Sequence, residues 1–320
     1  MRIRPFVETD YPAYSELWKA VFPDEAFSAG ELRSFDDAVR EPKYGLRQIV
    51  AETAGSGALG GYGVSSCSIS EFDPSRVWLR VMVPPEHRHR GIGTALYDSL
   101  VSDLRARGVR WLRASTRGDQ PEGLRFLEGR AYREIRRYCE LELDLAGFEI
   151  APFQSLISRL MAAGISLRSV AEEGFRDPEV RRRLWEVFRE TGADEPRSDP
   201  YTPEDLPSFE RSTLQGAEEV AGGWFVAREG EQYVGVASVY RSDGVPGLLR
   251  HGFTGVRRAY RGRGIATALK ARVLEFGQQN GYRSVRTNND ESNSAMLKVN
   301  ERLGYRRHRT WSYFERELGR

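Results

Sequence analysis

Apolar positions along the chain follow two spacings, and segments of the two kinds succeed each other in nearly the same order in each half. Spacings of three and four residues predict amphipathic helices, whereas short runs rich in β-branched and aromatic residues predict strands. In the N-terminal half the pattern predicts helices over 10–22, 92–104 and 124–128 and strands over 47–54, 59–69, 77–83, 111–116 and 139–145. In the C-terminal half it predicts helices over 178–188, 265–276 and 295–303 and strands over 165–170, 224–228, 233–240, 248–256, 282–287 and near Tyr313. A further helix over 153–160 links the halves.

A nonapeptide rich in arginine and glycine occurs twice at the start of a predicted helix. The segment 88–96 returns 173 residues later as 261–269, with seven of nine positions identical. In both copies an aromatic residue follows the segment at the same distance, at Tyr132 and Tyr305. Because a chance match would not carry its neighbours along, the chain is predicted to contain two copies of one domain.

The length of the chain agrees with this duplication. With 320 residues, the chain can form two domains of about 150 residues, each able to bury most of its apolar surface. We place the boundary after the last strand predicted in the first half. The N-terminal domain is then predicted to span 1–147 and the C-terminal domain 148–320.

Composition narrows the classes of partner and compartment. The 48 basic and 46 acidic residues leave a formal charge of +2, too little for strong attraction to nucleic acid. There is neither a signal-peptide pattern nor an apolar run long enough to span a membrane, so we expect a cytoplasmic monomer or homodimer without nucleic-acid or membrane partners. Cys67 and Cys139 lack metal-ligand spacing, which favours a reduced compartment but leaves one disulfide open.

The repeated segment has the chemistry of a diphosphate site. Its arrangement is a strand, then Arg-x-x-Gly-x-Gly or Arg-x-x-Gly-x-Ala, then a helix. Free N–H groups at a helix start can bind phosphate, glycines allow close backbone approach, and arginines add charge-assisted hydrogen bonds. Neither a Gly-Lys-Ser/Thr loop nor a Gly-x-Gly-x-x-Gly fingerprint is present, which excludes the common nucleotide-binding alternatives.

These segments resemble the acetyl-CoA motif of the GCN5-related N-acetyltransferase (GNAT) family. The resemblance rests on the Val-Pro-x-x-x-Arg-x-x-Gly-Ile-Gly run from Val83, on 254–256 with 261–266, and on a downstream segment from Thr287 to Tyr305. It covers essentially the whole chain as two tandem copies. It implies an α/β (α+β) fold of two domains, each a mixed, largely antiparallel sheet flanked by helices and splayed between its fourth and fifth strands, where pantetheine inserts.

The resemblance also implies the reaction and the residues that bind the donor. Acetyl would pass from acetyl-CoA to a primary amine of a small molecule or peptide, without a metal. The N-terminal residues expected to bind acetyl-CoA are Met82, Val83, Arg88, His89, Arg90, Gly91, Ile92, Gly93 and Thr94. The C-terminal ones are Gly255, Val256, Arg261, Gly262, Arg263, Gly264, Ile265, Ala266, Thr267, Asn288, Asn293 and Met296. A backbone N–H near Val256 would stabilise the oxyanion of the tetrahedral intermediate.

The catalytic groups are not identified by the resemblance. The family often has a tyrosine as general acid five residues before the aromatic of Leu-Gly-Phe/Tyr, but this chain has Asn300 and, in the first copy, Leu127. His251 is either the base or a packed histidine, and strand alternation places it on the face opposite Thr254. Tyr313 is either a proton relay or a packing residue. His87 and His89 lack a carboxylate at metal-ligand spacing.

Differences between the copies predict different roles. Gln120, Leu127 and Ala131 stand where the second copy has Asn293, Asn300 and Gly304. We therefore expect the C-terminal copy to be the catalyst and the N-terminal copy to bind CoA with little or no turnover. The alternative is that both copies hold CoA without turnover, as a sensor or scaffold.

The acceptor side has one candidate segment. The acidic, proline-containing stretch 191–205 precedes the second group of strands, and it is either solvated surface or a lid. If it is a lid, its carboxylates would attract a cationic amine.

Overall fold

The computed structural model describes residues 1–52 and 58–319. The elements up to the end of the first copy are β1 Arg2–Pro5, α1 Tyr11–Val21, α2 Ala29–Ala38, β2 Arg47–Glu52, β3 Leu59–Ser66, β4 Arg76–Met82, α3 Ile92–Ala106, β5 Trp111–Arg117, α4 Pro121–Glu128 and β6 Arg133–Asp144. The elements that follow are α5 Ala151–Ala162, β7 Ile165–Ser169, α6 Val170–Glu173, α7 Pro178–Gly192, α8 Leu206–Phe209, β8 Phe225–Glu229, β9 Gln232–Arg241, β10 Leu248–Val256, α9 Ile265–Gln279, β11 Ser284–Asp290, α10 Ser294–Leu303 and β12 Arg306–Glu317.

The chain forms two compact units that are not its two consecutive halves. The first unit contains Met1–Arg136, the short segment Asp243–Val245 and the chain from Trp311 onward. The second contains Arg137–Ser242 and Pro246–Thr310. The last strand of each sequence repeat therefore belongs mostly to the unit of the other repeat. The boundary between residues 147 and 148 stays a prediction about the repeats, since the units are defined by strand pairing and cross it.

The first unit contains a mixed, mostly antiparallel sheet. Its strands pair in the order β1, β2, β3, β4, β5 and the 311–317 part of β12. Only β4 and β5 run parallel, and the remaining neighbours are antiparallel. Helix α3 buries Ile92, Leu96, Leu100 and Leu104 against apolar residues of this sheet, as their four-residue spacing predicts.

The second unit repeats this topology. Its strands pair in the order β7, β8, β9, β10, β11 and the 137–144 part of β6, and only β10 and β11 run parallel. Helix α9 buries Ile265, Leu269 and Val273 against the sheet. The predicted fold class, a mixed, largely antiparallel sheet flanked by helices in each copy, is thereby confirmed.

Several elements differ from their predictions in extent. Strand β10 has the predicted bounds, whereas β6 begins six residues before the expected start at 139 and α7 runs four residues beyond 188. Residues 53 and 54 of the strand predicted over 47–54 lie outside the described residues. Helix α2 was missed, although Ser28 and Glu31 form a capping box at its start that the Ser-x-x-Glu spacing could have indicated.

Two further findings concern the environment of the chain. Within the described parts of the chain, no helix combines the length and the apolar character that a membrane span requires. Cys67 and Cys139 are both buried and unbridged, so the disulfide that the sequence left open is not formed.

Candidate functional site

The two arginine-glycine turns have the same backbone conformation. Gly262 and Gly264 have φ angles of 77° and 87°, and the equivalent His89 and Gly91 have φ angles of 61° and 78°. Glycine adopts this left-handed region freely, whereas His89 is one of few residue types that tolerate it. The backbone shape of the turn is therefore retained even where the first copy lacks a glycine.

Each of the two turns is followed directly by the N-terminus of a long helix. Helix α3 begins at Ile92 and α9 at Ile265, and no described side chain caps either helix start. The N–H groups of a first helical turn then have no partner within the helix and attract anions. Because the side chains of both isoleucines are buried, any contact of these two residues with a ligand would come from the backbone.

The first arginine of each turn forms a hydrogen bond with the end of the preceding strand. The Nε of Arg261 donates to the carbonyl oxygen of Val256 at 2.9 Å, and the Nε of Arg88 donates to that of Val83 at 3.1 Å. This shared hydrogen bond explains the constant five-residue spacing between the valine and the arginine.

The arginines at the C-terminal turn already form an ion pair with a carboxylate of the same chain. Asp194, in the loop after α7, accepts hydrogen bonds from both Arg258 and Arg261. The hydrogen bond from Arg258 has the largest effect on the pKa of Asp194, and together with Arg261 it lowers that pKa to about 2. A diphosphate bound at this turn would compete with Asp194 for Arg261.

The acidic stretch does not present free carboxylates. Besides Asp194, Glu195 pairs with Arg197 at 2.7 Å, Glu204 accepts from the hydroxyl of Ser212, and Asp205 caps α8. Arginine partners thus reduce the charge that Asp194 and Glu195 can offer to a cationic acceptor, while Glu204 and Asp205 keep theirs. The attraction of a cationic acceptor to this stretch stays a prediction.

The sheet of each unit opens between its two parallel strands. In the second unit, β10 pairs with β11 only over 248–250 and 284–286. In the first unit, β4 pairs with β5 only over 76–78 and 111–113. Beyond these residues each strand has an edge without its parallel neighbour, and such an edge offers N–H and C=O groups to an extended ligand.

A β-bulge in β10 reverses the expected orientation of His251. The register against β9 shifts by one residue between His251 and Thr254. The His251 Nε2 and the Thr254 Oγ1 lie 2.7 Å apart, so both side chains lie on the same face. The prediction of opposite faces was wrong, because a bulge inserts one residue and inverts the alternation beyond it.

His251 stands at the point where β10 and β11 separate and is only 6% exposed. Burial, followed by the charge of Lys270, holds the pKa of His251 well below its usual value. Its Nδ1 has no hydrogen-bond partner within the part of the chain that the structure describes. The imidazole is therefore neutral at neutral pH and has one ring nitrogen unused.

Lys270, which the sequence interpretation missed, is the most unusual ionisable group of this region. It lies on α9, is 1% exposed, and its Nζ stands 5.1 Å from the ring centroid of Tyr305. Burial lowers its pKa to about 7. The available sequence signal was a lysine between Leu269 and Ala271, three and four residues before Val273 and Leu274, and so on the apolar side of the predicted helix.

Two more buried polar side chains belong to Tyr305 itself and to Asn300, whose backbone carbonyl oxygen accepts from the Tyr305 N–H at 3.0 Å. Asn300 on α10 donates from Nδ2 to the Oδ1 of Asn289 at 2.5 Å. Its own Oδ1 and the hydroxyl of Tyr305 have no hydrogen-bond partner among the described residues. We call His251, Thr254, Lys270, Asn300 and Tyr305 the C-terminal polar cluster.

The first unit has a different set of residues at the positions equivalent to the C-terminal polar cluster. Strand pairing matches His251 with Leu79, because the bulge adds one residue to β10. The constant spacing of 173 residues matches the other four positions with Val81, Tyr97, Leu127 and Tyr132. The hydroxyls of Tyr97 and Tyr132 lie 3.4 Å apart, and Arg316 donates to Tyr97 at 2.9 Å. The first unit thus fills this region with apolar or mutually bonded side chains, whereas the second leaves polar atoms unpaired.

The remaining predicted site residues are distributed over both units. Asn288 is exposed on β11, and the Asn293 side chain caps α10 by accepting from the Met296 N–H. Tyr313 pairs with β5 in the first unit, where its ring packs against Trp78 at 5.3 Å. It is therefore absent from the C-terminal polar cluster, and its contacts support the packing interpretation. No described group of three or more His, Cys, Asp or Glu side chains could hold a metal ion.

Comparisons with known proteins match both repeats. A model described as "Acetyltransferase (GNAT) family" matches residues 11–130 and 179–305. The chain is 26% identical to a mycothiol acetyltransferase of Parafrankia sp. over 282 residues, covering 82% of this chain and 81% of that one. It is 27% identical to a mycothiol acetyltransferase of Geodermatophilus obscurus over 270 residues, covering 82% and 80%.

Solved structures share the fold along the whole chain. A GCN5-related N-acetyltransferase of Sphaerobacter thermophilus superposes with a TM-score of 0.71 at 21% identity, covering 99% of this chain and 95% of that one. A tandem GNAT protein from the clavulanic acid biosynthesis pathway superposes with a TM-score of 0.72 at 20% identity, covering 100% and 99%. At these identities the likeness concerns the fold.

Proposed function

This chain belongs to the GNAT acetyltransferase family and transfers acetyl from acetyl-CoA to an amine, and from this premise we propose that its C-terminal repeat carries out the transfer. The observation that supports this assignment is the C-terminal polar cluster. It lies where β10 and β11 separate, and the equivalent positions of the N-terminal repeat are apolar or mutually bonded.

Acetyl-CoA would bind the second unit along the opened strand and the turn. The N–H groups at the start of α9 and the guanidinium of Arg263 would bind its diphosphate. The unpaired edge of β10 near Val256 would hold the pantetheine arm and polarise the thioester carbonyl. This arrangement would leave the C-terminal polar cluster at the inner end of the opening, next to the reacting carbon.

The leaving group of this reaction needs little acid catalysis, whereas the acceptor amine must be neutral. An ammonium has no lone pair, so the acceptor must lose a proton before it attacks the thioester carbon. The CoA thiolate is a fair leaving group, with a thiol pKa of about 8.5. The absence of the family's frequent tyrosine at Asn300 therefore does not prevent transfer.

The N-terminal repeat would hold CoA with little or no turnover. Its turn retains the left-handed backbone at His89 and Gly91 and the uncapped start of α3. Where the second copy has His251 and Lys270, strand pairing and the repeat spacing place Leu79 and Tyr97. It thus keeps the diphosphate chemistry without an equivalent of the polar cluster.

The acceptor would be a primary amine of a small molecule or peptide. We infer a cytoplasmic monomer or homodimer, for which the buried, unbridged Cys67 and Cys139 are the supporting observation, since reduced thiols are typical of that compartment. Nucleic acid and membrane partners are not part of the proposal, because the near-neutral charge offers little attraction to phosphate.

Release of CoA thiol from acetyl-CoA with a panel of amines tests the function. We expect release to depend on both the protein and an amine, and the panel should include the acceptor of the two mycothiol acetyltransferase relatives. CoA should also raise the melting temperature, because a ligand that binds only the folded state stabilises it. Thermal stabilisation without thiol release from any amine would instead favour a sensor or scaffold.

Removing the Asp194 carboxylate should strengthen donor binding. We expect Asp194→Asn to increase the acetyl-CoA affinity of the C-terminal turn about two- to fivefold, because Arg261 is freed from a partly exposed ion pair. Calorimetric titration measures the change. Glu195→Gln, which removes a neighbouring carboxylate paired with Arg197, is the control and should leave the affinity unaltered. An affinity that falls in Asp194→Asn would mean that Asp194 holds the turn in its binding shape.

A further inference from the structure

We propose that Lys270 and His251 act as one proton-accepting pair, which takes the proton that the acceptor ammonium must lose before its nitrogen attacks the thioester. The inference rests on the proposed function of the C-terminal repeat. It assigns a role to two buried groups that the resemblance to the family leaves without one.

The position of His251 is the first argument. It is the first residue of β10 after the last pair with β11, and the bulge at 251–254 turns its ring to the same face as the Thr254 hydroxyl. Its unpaired Nδ1 is available to accept a proton from a group that enters the opening between the strands.

The isolation of Lys270 is the second argument. Among the described residues, the titratable groups that face it are His251 from β10 and Tyr305 from the segment before β12, and no described carboxylate contributes to the pKa of either member of the pair. A buried lysine without a counter-ion is disfavoured in its charged form. With a pKa of about 7, Lys270 thus has a free amine lone pair in a large fraction of the molecules at neutral pH, where most lysines carry a proton.

The charge interaction makes the two groups a unit. The positive charge of Lys270 lowers the pKa of His251, so the pair holds one proton readily and resists a second. Groups coupled in this way titrate together. In its deprotonated form, which increases as the pH rises through about 7, the pair can accept the one proton that this reaction requires it to remove.

The internal duplication supplies a comparison within the same chain. At the structurally equivalent positions the first repeat has the buried Leu79 and Tyr97, and the Tyr97 hydroxyl accepts a hydrogen bond from Arg316. Packing of this fold therefore does not require a histidine or a lysine at these two positions. Their presence in the second repeat calls for a chemical explanation.

The proton and electron balance is complete without another reactant. The pair removes one proton from the ammonium, and the freed lone pair forms the N–C bond to the thioester carbon. When the tetrahedral intermediate collapses, the C–S bond breaks with its electron pair on sulfur. The thiolate takes the second nitrogen proton, and the pair releases its proton to solvent. The products are the amide, CoA thiol and one proton.

The decisive experiment compares two acceptors in Lys270→Met. The first is the alkylammonium acceptor that turns over fastest in the amine panel, and the second is hydroxylamine, which is mostly unprotonated at neutral pH. A general base contributes about 10²- to 10⁴-fold, so we expect kcat/KM for the alkylammonium acceptor to fall at least about a hundredfold. With hydroxylamine, which has no proton to lose before attack, the loss should stay within about fivefold.

The pH profile gives a second readout. In the wild-type protein, kcat/KM for the alkylammonium acceptor should rise with an apparent pKa near 7, the value to which burial lowers the pKa of Lys270. In Lys270→Met that inflection should disappear, and activity should follow only the fraction of free amine in solution. His251→Gln should reproduce the selective loss. Tyr97→Phe, at the position of Lys270 in the first repeat, is the matched control and should change neither readout.

The outcomes separate this inference from the proposed function. Equal losses with both acceptors, or full activity in Lys270→Met, would overturn the proton-accepting pair while the C-terminal repeat remained the catalyst. If instead the wild-type protein transfers acetyl but tolerates loss of the C-terminal turn, the assignment of the catalytic repeat itself is wrong.

Discussion

Gly264→Val is expected to reduce acetyl transfer at least about a hundredfold, while Gly91→Val leaves most of it. The two glycines are equivalent positions of the repeated turn, with φ angles of 87° and 78°. A side chain at either position strains the backbone and hinders approach of a diphosphate. A displacement of about 1 Å at a reacting centre lowers the rate about a hundredfold. Only the substitution in the turn of the catalytic repeat should therefore abolish most of the activity.

The structure adds a reason to control the C-terminal substitution. A Cβ at Gly264 would stand 2.7 Å from the Cδ1 of Leu156, whereas a Cβ at Gly91 meets nothing within 4 Å. The double variant Gly264→Val with Leu156→Ala removes this clash. If blocked access to the turn is the cause, the double variant should remain as inactive as the single one.

Calorimetry and kinetics together test this prediction. The wild-type protein should bind two CoA molecules and each glycine variant one, with melting temperature as the check on the fold. Unchanged CoA binding in a folded Gly264→Val protein would exclude the turn as a CoA site. If Gly91→Val abolishes activity and Gly264→Val does not, the roles of the two repeats are reversed.

Lys270→Met is expected to stabilise the protein, by on the order of 4 kcal/mol in the free energy of unfolding at neutral pH. Burial lowers the pKa of Lys270 from 10.5 to about 7. Between these two values the unfolded chain binds a proton that the folded chain does not, so wild-type stability falls as pH decreases from 10.5 to 7. Below pH 7 both states are protonated and this penalty is constant. Each pKa unit by which the folded and unfolded chains differ changes the free energy of unfolding by about 1.4 kcal/mol.

Denaturant unfolding of both proteins at several pH values measures this effect. The stability difference between Lys270→Met and the wild type should shrink as the pH rises from 7 toward 10. Lys298→Met, at an exposed position on α10, is the control and should change stability by less than about 0.5 kcal/mol. A less stable Lys270→Met protein at neutral pH would show that the amine makes a favourable contact. A stability gain together with a loss of activity would be typical of a group retained for function.

Local sequence patterns were sufficient to predict the elements on either side of the two arginine-glycine turns. The bounds of β10, the start of α9 and the identical spacing in both repeats followed from runs of β-forming residues, a four-residue apolar spacing and the glycines of the turn. These signals are local because strand alternation, helix spacing and a left-handed turn depend on residues close in the chain.

The candidate catalytic groups could not be predicted in the same way. The orientation of His251 depends on an extra residue accommodated against β9, and alternation read from β10 alone gave the opposite face. The ion pair of Asp194 joins residues 67 positions apart, which no local pattern encodes. For Tyr313, the strand was predicted but its partner in the first unit was not.

By itself, the sequence determined the duplicated order of helices and strands and the two arginine-glycine turns, because each depends on short-range geometry repeated at a constant distance. The splaying of the strand pair was expected from the resemblance to the family. Only the tertiary structure decided the face on which His251 lies, the partner of Asp194 and the burial of Lys270 without a counter-ion. A bulge register, an ion pair and a desolvated charge each depend on atoms that distant segments bring into contact. A pKa follows from that environment, and for Lys270 the environment is assembled from α9, β10 and the segment before β12.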